Sequence, residues 1–198
     1  MQVLLVVLYP LLVHLSIVLG LPILQALALV SLAAGFCYGG LKNGNIGLWL
    51  FLVALAAVAV PLALADITLY LLYVPPVALP LLLAVVFGNT LLPGREPLVT
   101  AIGEASRGPL SAEMRSYSRH VTILWTAVFC LMAVEAFALT ITGHPELWSW
   151  VTSIINYLLV GVLFLGEFLY RKKRFPDHNH PGFLEYVRIV VHSQARRR

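Results

Sequence analysis

The sequence is poor in charge: Asp, Glu, Lys and Arg make up only 11 % of its 198 residues, against 60 % hydrophobic. With a mean hydropathy of +0.90, that scarcity excludes a soluble domain, which has too little interior for so much apolar surface, and defines an integral membrane protein. Cysteine is scarce too. Cys37 and Cys130 both fall inside apolar runs, which excludes a disulfide framework and leaves them as small packing residues. No nucleotide-binding loop, nucleophile elbow, HExxH pair or alcohol-phosphotransferase signature occurs, and no cofactor or metal is expected. The first apolar run has no basic residue ahead of it and no small-residue cleavage pattern after it, so it reads as a retained span rather than a secretory signal.

Lipid offers the backbone no hydrogen-bond partners, so crossing a core of about 30 Å takes a helix of roughly 20 apolar residues. Six runs qualify, at residues 2–19, 23–38, 46–65, 69–91, 121–142 and 148–170. The expected fold is therefore all-α: a polytopic membrane protein with six transmembrane helices over residues 1–170, a cytoplasmic amphipathic loop at 93–120, and a basic tail at 171–198 carrying an interfacial helix. All thirteen Lys and Arg fall on one side of this arrangement: Lys42, Arg95, Arg107, Arg115 and Arg119, with the other eight after residue 170. Basic residues mark the cytoplasmic face, which places both termini there. That one-sided bias also accounts for the net charge of +4 and calls for no nucleic-acid partner. Trp148, Trp150 and Tyr170 suit interfacial aromatic belts. Gly35, Gly39 and Gly40 include a small-xxx-small pair that permits close helix contact and offers a route to a homo-oligomer.

The polar residues inside the runs are few: His14, Gln25, Asn89, Glu135, Asn156 and Glu167. Each costs energy at membrane depth and is a functional candidate for that reason. Glu135 is either a proton-relay or substrate group, or a neutral acid bonded to another helix through Asn156 or His14. Glu167 stands one turn before Arg171, a pairing that steadies its own helix end, and Asp66 sits at the outer boundary. Pro75, Pro76 and Pro80 remove three backbone donors from the fourth run, which should kink or break near mid-membrane, as helices lining transport sites do.

The segment PGREPLVTAIGEASRGPLSAEMRSYSRH, residues 93–120, concentrates charge between two apolar runs. Pro97 suits the opening turn of a helix with Glu96 at its positive end, and Arg107-Gly108-Pro109 stops it. Ser111 is an N-cap for a second helix, whose Met114, Tyr117 and Val121 stripe leads into the fifth run. Arg115 and Arg119 share a face with Ser118, a pattern that suits a phosphate or carboxylate and equally the anionic heads of membrane lipids. In the tail, Glu185, Arg188, His192 and Arg196 oppose Phe183, Val187, Val190 and Val191, the pattern of a helix lying on the cytoplasmic leaflet. Asp177, His178 and His180 lack the fixed third ligand of a metal site. His180 and Glu185 carry only the outline of an acyltransferase HxxxxD motif, with Glu in place of Asp.

Three phrases, PGREPL at 93–98, YSRHVTILW at 117–125 and NYLLVGVLFLGEFLYRKKRFP at 156–176, together resemble a family of small bacterial inner-membrane proteins. Its genes often lie beside those for aryl polyene or xanthomonadin-like pigment lipids. The resemblance covers roughly the second half of the chain. It implies recurring positions at Arg95, Glu96, Tyr117, Arg119, Thr122, Asn156, Tyr157, Glu167, Tyr170 and Arg171, with His120 standing where a second Arg is expected. It also implies a place in a lipid or aryl polyene pathway at the bacterial inner membrane. Joined to the residues, it suggests a polar cytoplasmic rim of Arg95, Arg115, Arg119, Glu167 and Arg171 that receives an acyl carrier protein, a cytoplasmic lipid-synthesis enzyme or the charged end of an acyl chain. The expected function is an accessory or docking subunit, more in keeping with a non-enzyme. The alternatives are a membrane enzyme or carrier acting on a lipid intermediate through Glu135 and the rim, and a small transporter using the Pro-broken fourth helix.

Overall fold

The computed structural model describes residues 2–65 and 67–175, and all regular structure among them is helical. Asp66, the 177–180 cluster and the expected interfacial helix of the tail lie outside the described residues. The helices are α1 (Gln2–Val18), α2 (Ile23–Lys42), α3 (Ile46–Leu64), α4 (Thr68–Leu72), α5 (Val74–Asn89), α6 (Leu98–Arg107), α7 (Ala112–Ile141), α8 (Pro145–Trp150) and α9 (Asn156–Arg174), with a π-helical turn at Val151–Ile155. Five segments are long and apolar enough to cross a membrane: Ile23–Lys42, Ile46–Leu64, Thr68–Asn89, Ala112–Ile141 and Pro145–Arg174. The first expected span, α1, has 17 residues and is shorter than these. The many exposed large apolar side chains, among them Val53, Val58, Val134, Phe137, Leu158 and Val162, suit a surface solvated by lipid.

The chain forms two compact units, Met1–Leu79 with Met132–Leu158 and Pro80–Leu131 with Leu159–Arg198. In the first, Tyr9, Leu12, Val13, Ala28, Leu72 and Trp148 build the core. Close packing of α1 on α2 depends on Gly35: a Cβ there would come within 2.7 Å of Val6 Cγ2 and 3.3 Å of the Val6 nitrogen. The neighbouring small residue of the expected pair, Gly39, meets nothing within 4 Å. Trp148 is fully buried, edge-on to Tyr73 at 4.7 Å, so it is a core residue and not part of an outer aromatic belt. Trp150 is 49 % exposed and meets the His14 ring edge-on.

The fourth run breaks near its start, at Tyr73, and not near its middle. Local sterics explain the position. Pro75 and Pro76 then occupy the first turn of α5, where a helix has no use for their missing N–H groups. In an unbroken helix the donor of residue 76 would have served the carbonyl of Leu72. That carbonyl instead accepts from the Tyr9 hydroxyl at 3.1 Å, so α1 supplies what the proline removes.

In the second unit, α6 turns back onto the start of α7. Gly108 carries φ +84°, a left-handed conformation that a side chain would strain. Ser111 caps α7, accepting from the Met114 N–H at 3.3 Å. The helix that begins there runs without interruption through the expected fifth span. Phe87, Trp125, Phe129 and Phe164 pack by their rings.

Candidate functional site

The loop after α5, the first turn of α6 and the first turns of α7 border a cleft of about 520 Å³, open to the outside and lined by Gly94, Arg95, Glu96, Pro97, Thr100, Arg115, Ser116 and Arg119. Its walls are fixed by helix ends. The last carbonyls of a helix lack internal partners and carry partial negative charge. Arg95 Nη1 donates to the Asn89 carbonyl at 3.3 Å and Arg119 Nη2 to that of Leu91 at 3.4 Å. One guanidinium is thus anchored at the last residue of α5 and the other at the turn just after it, each with most of its donors uncommitted among the described residues. At the opposite polarity, the first N–H groups of α6 need acceptors. Leu98 donates to Thr90 Oγ1 at 3.0 Å and Val99 to Thr122 Oγ1 at 3.3 Å.

Arg115 is held differently. Its guanidinium lies 2.6 Å from Glu104 Oε1 and 3.3 Å from Glu96 Oε1. The hydrogen bond from Arg115, and with it that from the Leu110 N–H, holds the Glu104 carboxyl below the usual carboxylate range. A depressed carboxyl contributes stability that is complete above the unfolded value of about 4.3 and is lost as pH falls through the folded value. We therefore expect proteolysis at the 108–110 turn to accelerate below about pH 4.3, and Glu104→Gln to remove that acceleration, read by fragment yield across a pH series with an acid-stable protease.

Among the described residues no carboxylate lies within ion-pair distance of Arg95 or Arg119. Thr100 is 2 % exposed, and its hydroxyl has no hydrogen-bond partner among the described residues.

The expected single rim separates into two places. Glu167 and Arg171 do not line the cleft. They form an i,i+4 pair at 3.4 Å with side chains 6 % and 8 % exposed. The Tyr117 hydroxyl donates to Glu167 Oε1 at 3.4 Å, and the Tyr117 ring stacks on Tyr170 at 5.7 Å. Beside them is a cavity of about 20 Å³ walled by Val99, Ile102, Leu110, Met114 and Ser118, room for one water molecule. Ser118 belongs to this buried side. The serine that accompanies Arg115 and Arg119 in the cleft is Ser116.

The remaining candidates lie elsewhere. Asn89 ends α5, exposed, and its carbonyl holds Arg95. In the first unit, Asn156 is buried directly after the π turn, whereas Tyr157 is 48 % exposed. His14 Nδ1 lies 2.8 Å from Ser149 Oγ. Glu135 Oε1 is buried with no hydrogen-bond partner among the described residues, so neither Asn156 nor His14 supplies the bond anticipated for it there.

Glu104 and Thr100 were not singled out by sequence reasoning. Glu104 meets Arg115 across a turn, outside any helical spacing, and only the Gly108-Pro109 stop hinted that the two helices fold together. A comparison with models of protein families, with curated proteins and with solved structures finds no match.

Proposed function

We propose that this chain is a docking subunit of the bacterial inner membrane, with six spans, both termini cytoplasmic, and the arginine cleft turned toward the cytoplasm. It receives an acidic partner, an acyl carrier protein or cytoplasmic enzyme of the lipid or aryl polyene pathway suggested by the three sequence phrases. The placement rests on the sorting of all thirteen basic residues to one set of span ends. One observation carries the docking role: an open cleft in which Arg95 and Arg119 are fastened to backbone carbonyls yet form no ion pair with a carboxylate among the described residues. Preset cations of this kind steer an acidic surface and set its register.

The test compares retention of an acidic carrier protein by inverted and right-side-out membrane vesicles. Inverted vesicles should retain it, retention should fall as salt rises, and the double substitution Arg95→Glu with Arg119→Glu should reduce it about tenfold or more. Equal retention by both vesicle types, or by the doubly substituted protein, would overturn the reading.

A second reading has its own support. A carboxyl oxygen buried without a partner is costly unless the group is protonated or has a use, which favours Glu135 as the proton-handling group of an enzyme or carrier acting on a lipid intermediate.

A further inference from the structure

The cleft contains a feature that a protein-docking surface does not need. Thr100 is almost wholly enclosed, yet its hydroxyl lacks a hydrogen-bond partner among the described residues. A buried hydroxyl left unsatisfied costs about 1–3 kcal/mol, and most buried polar groups avoid that cost. Thr100 is the third residue of α6, where the helix N-terminus adds positive potential although the N–H groups of Leu98 and Val99 are already taken by Thr90 and Thr122. It lines the same cleft as Arg95, Ser116 and Arg119.

The geometry points to a phosphate subsite formed by Arg95, Thr100, Ser116 and Arg119, taking a phosphomonoester group. This deepens the docking reading and rests on it for the side of the membrane from which the ligand arrives. The donors come from three separate elements: the loop after α5, the first turn of α6 and the start of α7. A carboxylate is planar and is satisfied by one guanidinium fork, whereas a phosphate presents several oxygens in different directions and makes use of donors that converge. Glu96 also lines the cleft, but it is engaged by Arg115 at 3.3 Å. The cleft, at about 520 Å³, is far larger than a phosphate ion. The remainder accommodates whatever the phosphate is attached to, either the glycerol of a phosphatidate headgroup or a soluble phosphomonoester.

The chain is reconstituted in phosphatidylcholine nanodiscs and its thermal unfolding followed, first against added inorganic phosphate, then in discs containing a minor fraction of phosphatidic acid. A rise in midpoint with inorganic phosphate identifies a soluble source, and a rise with phosphatidic acid alone identifies a headgroup. In either case Thr100→Val should weaken the effect about tenfold, and Arg119→Gln should do at least as much. Thr100→Val is nearly isosteric and removes an unsatisfied hydroxyl, so in plain discs it should unfold no earlier than the parent. Absence of stabilisation by both ligands overturns the proposal, as does stabilisation that survives both substitutions. The vesicle assay separates the two readings, since it reads retention of the carrier protein and not stabilisation by a phosphate ligand. Lost carrier retention with intact phosphate binding sinks docking alone, and the reverse pattern sinks the phosphate subsite alone.

Discussion

Arg171→Met destabilises the protein by about 3–5 kcal/mol, the cost of removing one partner from a buried ion pair. The pair with Glu167 spans a single helical turn, a spacing worth only a few tenths of a kcal/mol on an exposed helix. Enclosure changes the scale: both side chains are less than a tenth exposed, and the Glu167 carboxylate would be left in its enclosure without the guanidinium. The Tyr117 hydroxyl bonded to Glu167 would remain, too weak a donor to replace a full charge. Pairing Arg171→Met with Glu167→Gln should recover much of the loss, because the buried charge is then gone. Unfolding in mild detergent, followed by tryptophan fluorescence for the two single variants and the double variant, measures this directly. A loss below about 1 kcal/mol for Arg171→Met would mean the pair behaves as a solvated one.

Tyr9→Phe is expected to cost about 1–3 kcal/mol, because it leaves the enclosed Leu72 carbonyl without a donor. Removal of an oxygen alone creates almost no cavity, so packing loss is a small part of the effect. The source of the vacancy can be tested in the same experiment. If Pro76 is what deprives Leu72 of its helical donor, then Pro76→Ala in the Tyr9→Phe background should restore stability, while Pro76→Ala alone should gain little. A double-mutant cycle reads the coupling. Additive effects would separate the tyrosine from the proline.

These two cases also show what the sequence made legible. Features governed by neighbours in the chain were readable: the long apolar runs, the Gly108-Pro109 stop, the Ser111 cap and the Glu167–Arg171 spacing. Features set by tertiary contact were not. Trp148 has the position of a belt residue, and its burial depends on where α1 and Tyr73 sit. The prolines announced a break but not its place, since Pro75 and Pro76 are harmless in a first turn, Pro80 sits inside α5 without ending it, and the helix could begin wherever a neighbour satisfied the freed carbonyl. The arginines are legible in the sequence as a concentration of charge. Their division between an open cleft and a buried pair follows from the folding of α6 against α7, which puts Ser116 on one side of α7 and Ser118 on the other. Glu104 and Thr100 acquire their roles only once that hairpin exists.

Thr122 has a consequence for how this part of the molecule can move. Its hydroxyl has one proton, given to the Ser118 carbonyl at 2.9 Å, and a lone pair that receives the Val99 N–H. Turning α7 by one residue, about 100°, would bring Ile123 or Val121 to that place and offer the amide nothing. The azimuth of a long apolar helix is therefore keyed to the tilt of a short amphipathic one, like a pin in a lock, and any twist of α7 must be felt at the first turn of α6, where Thr122 holds the Val99 amide.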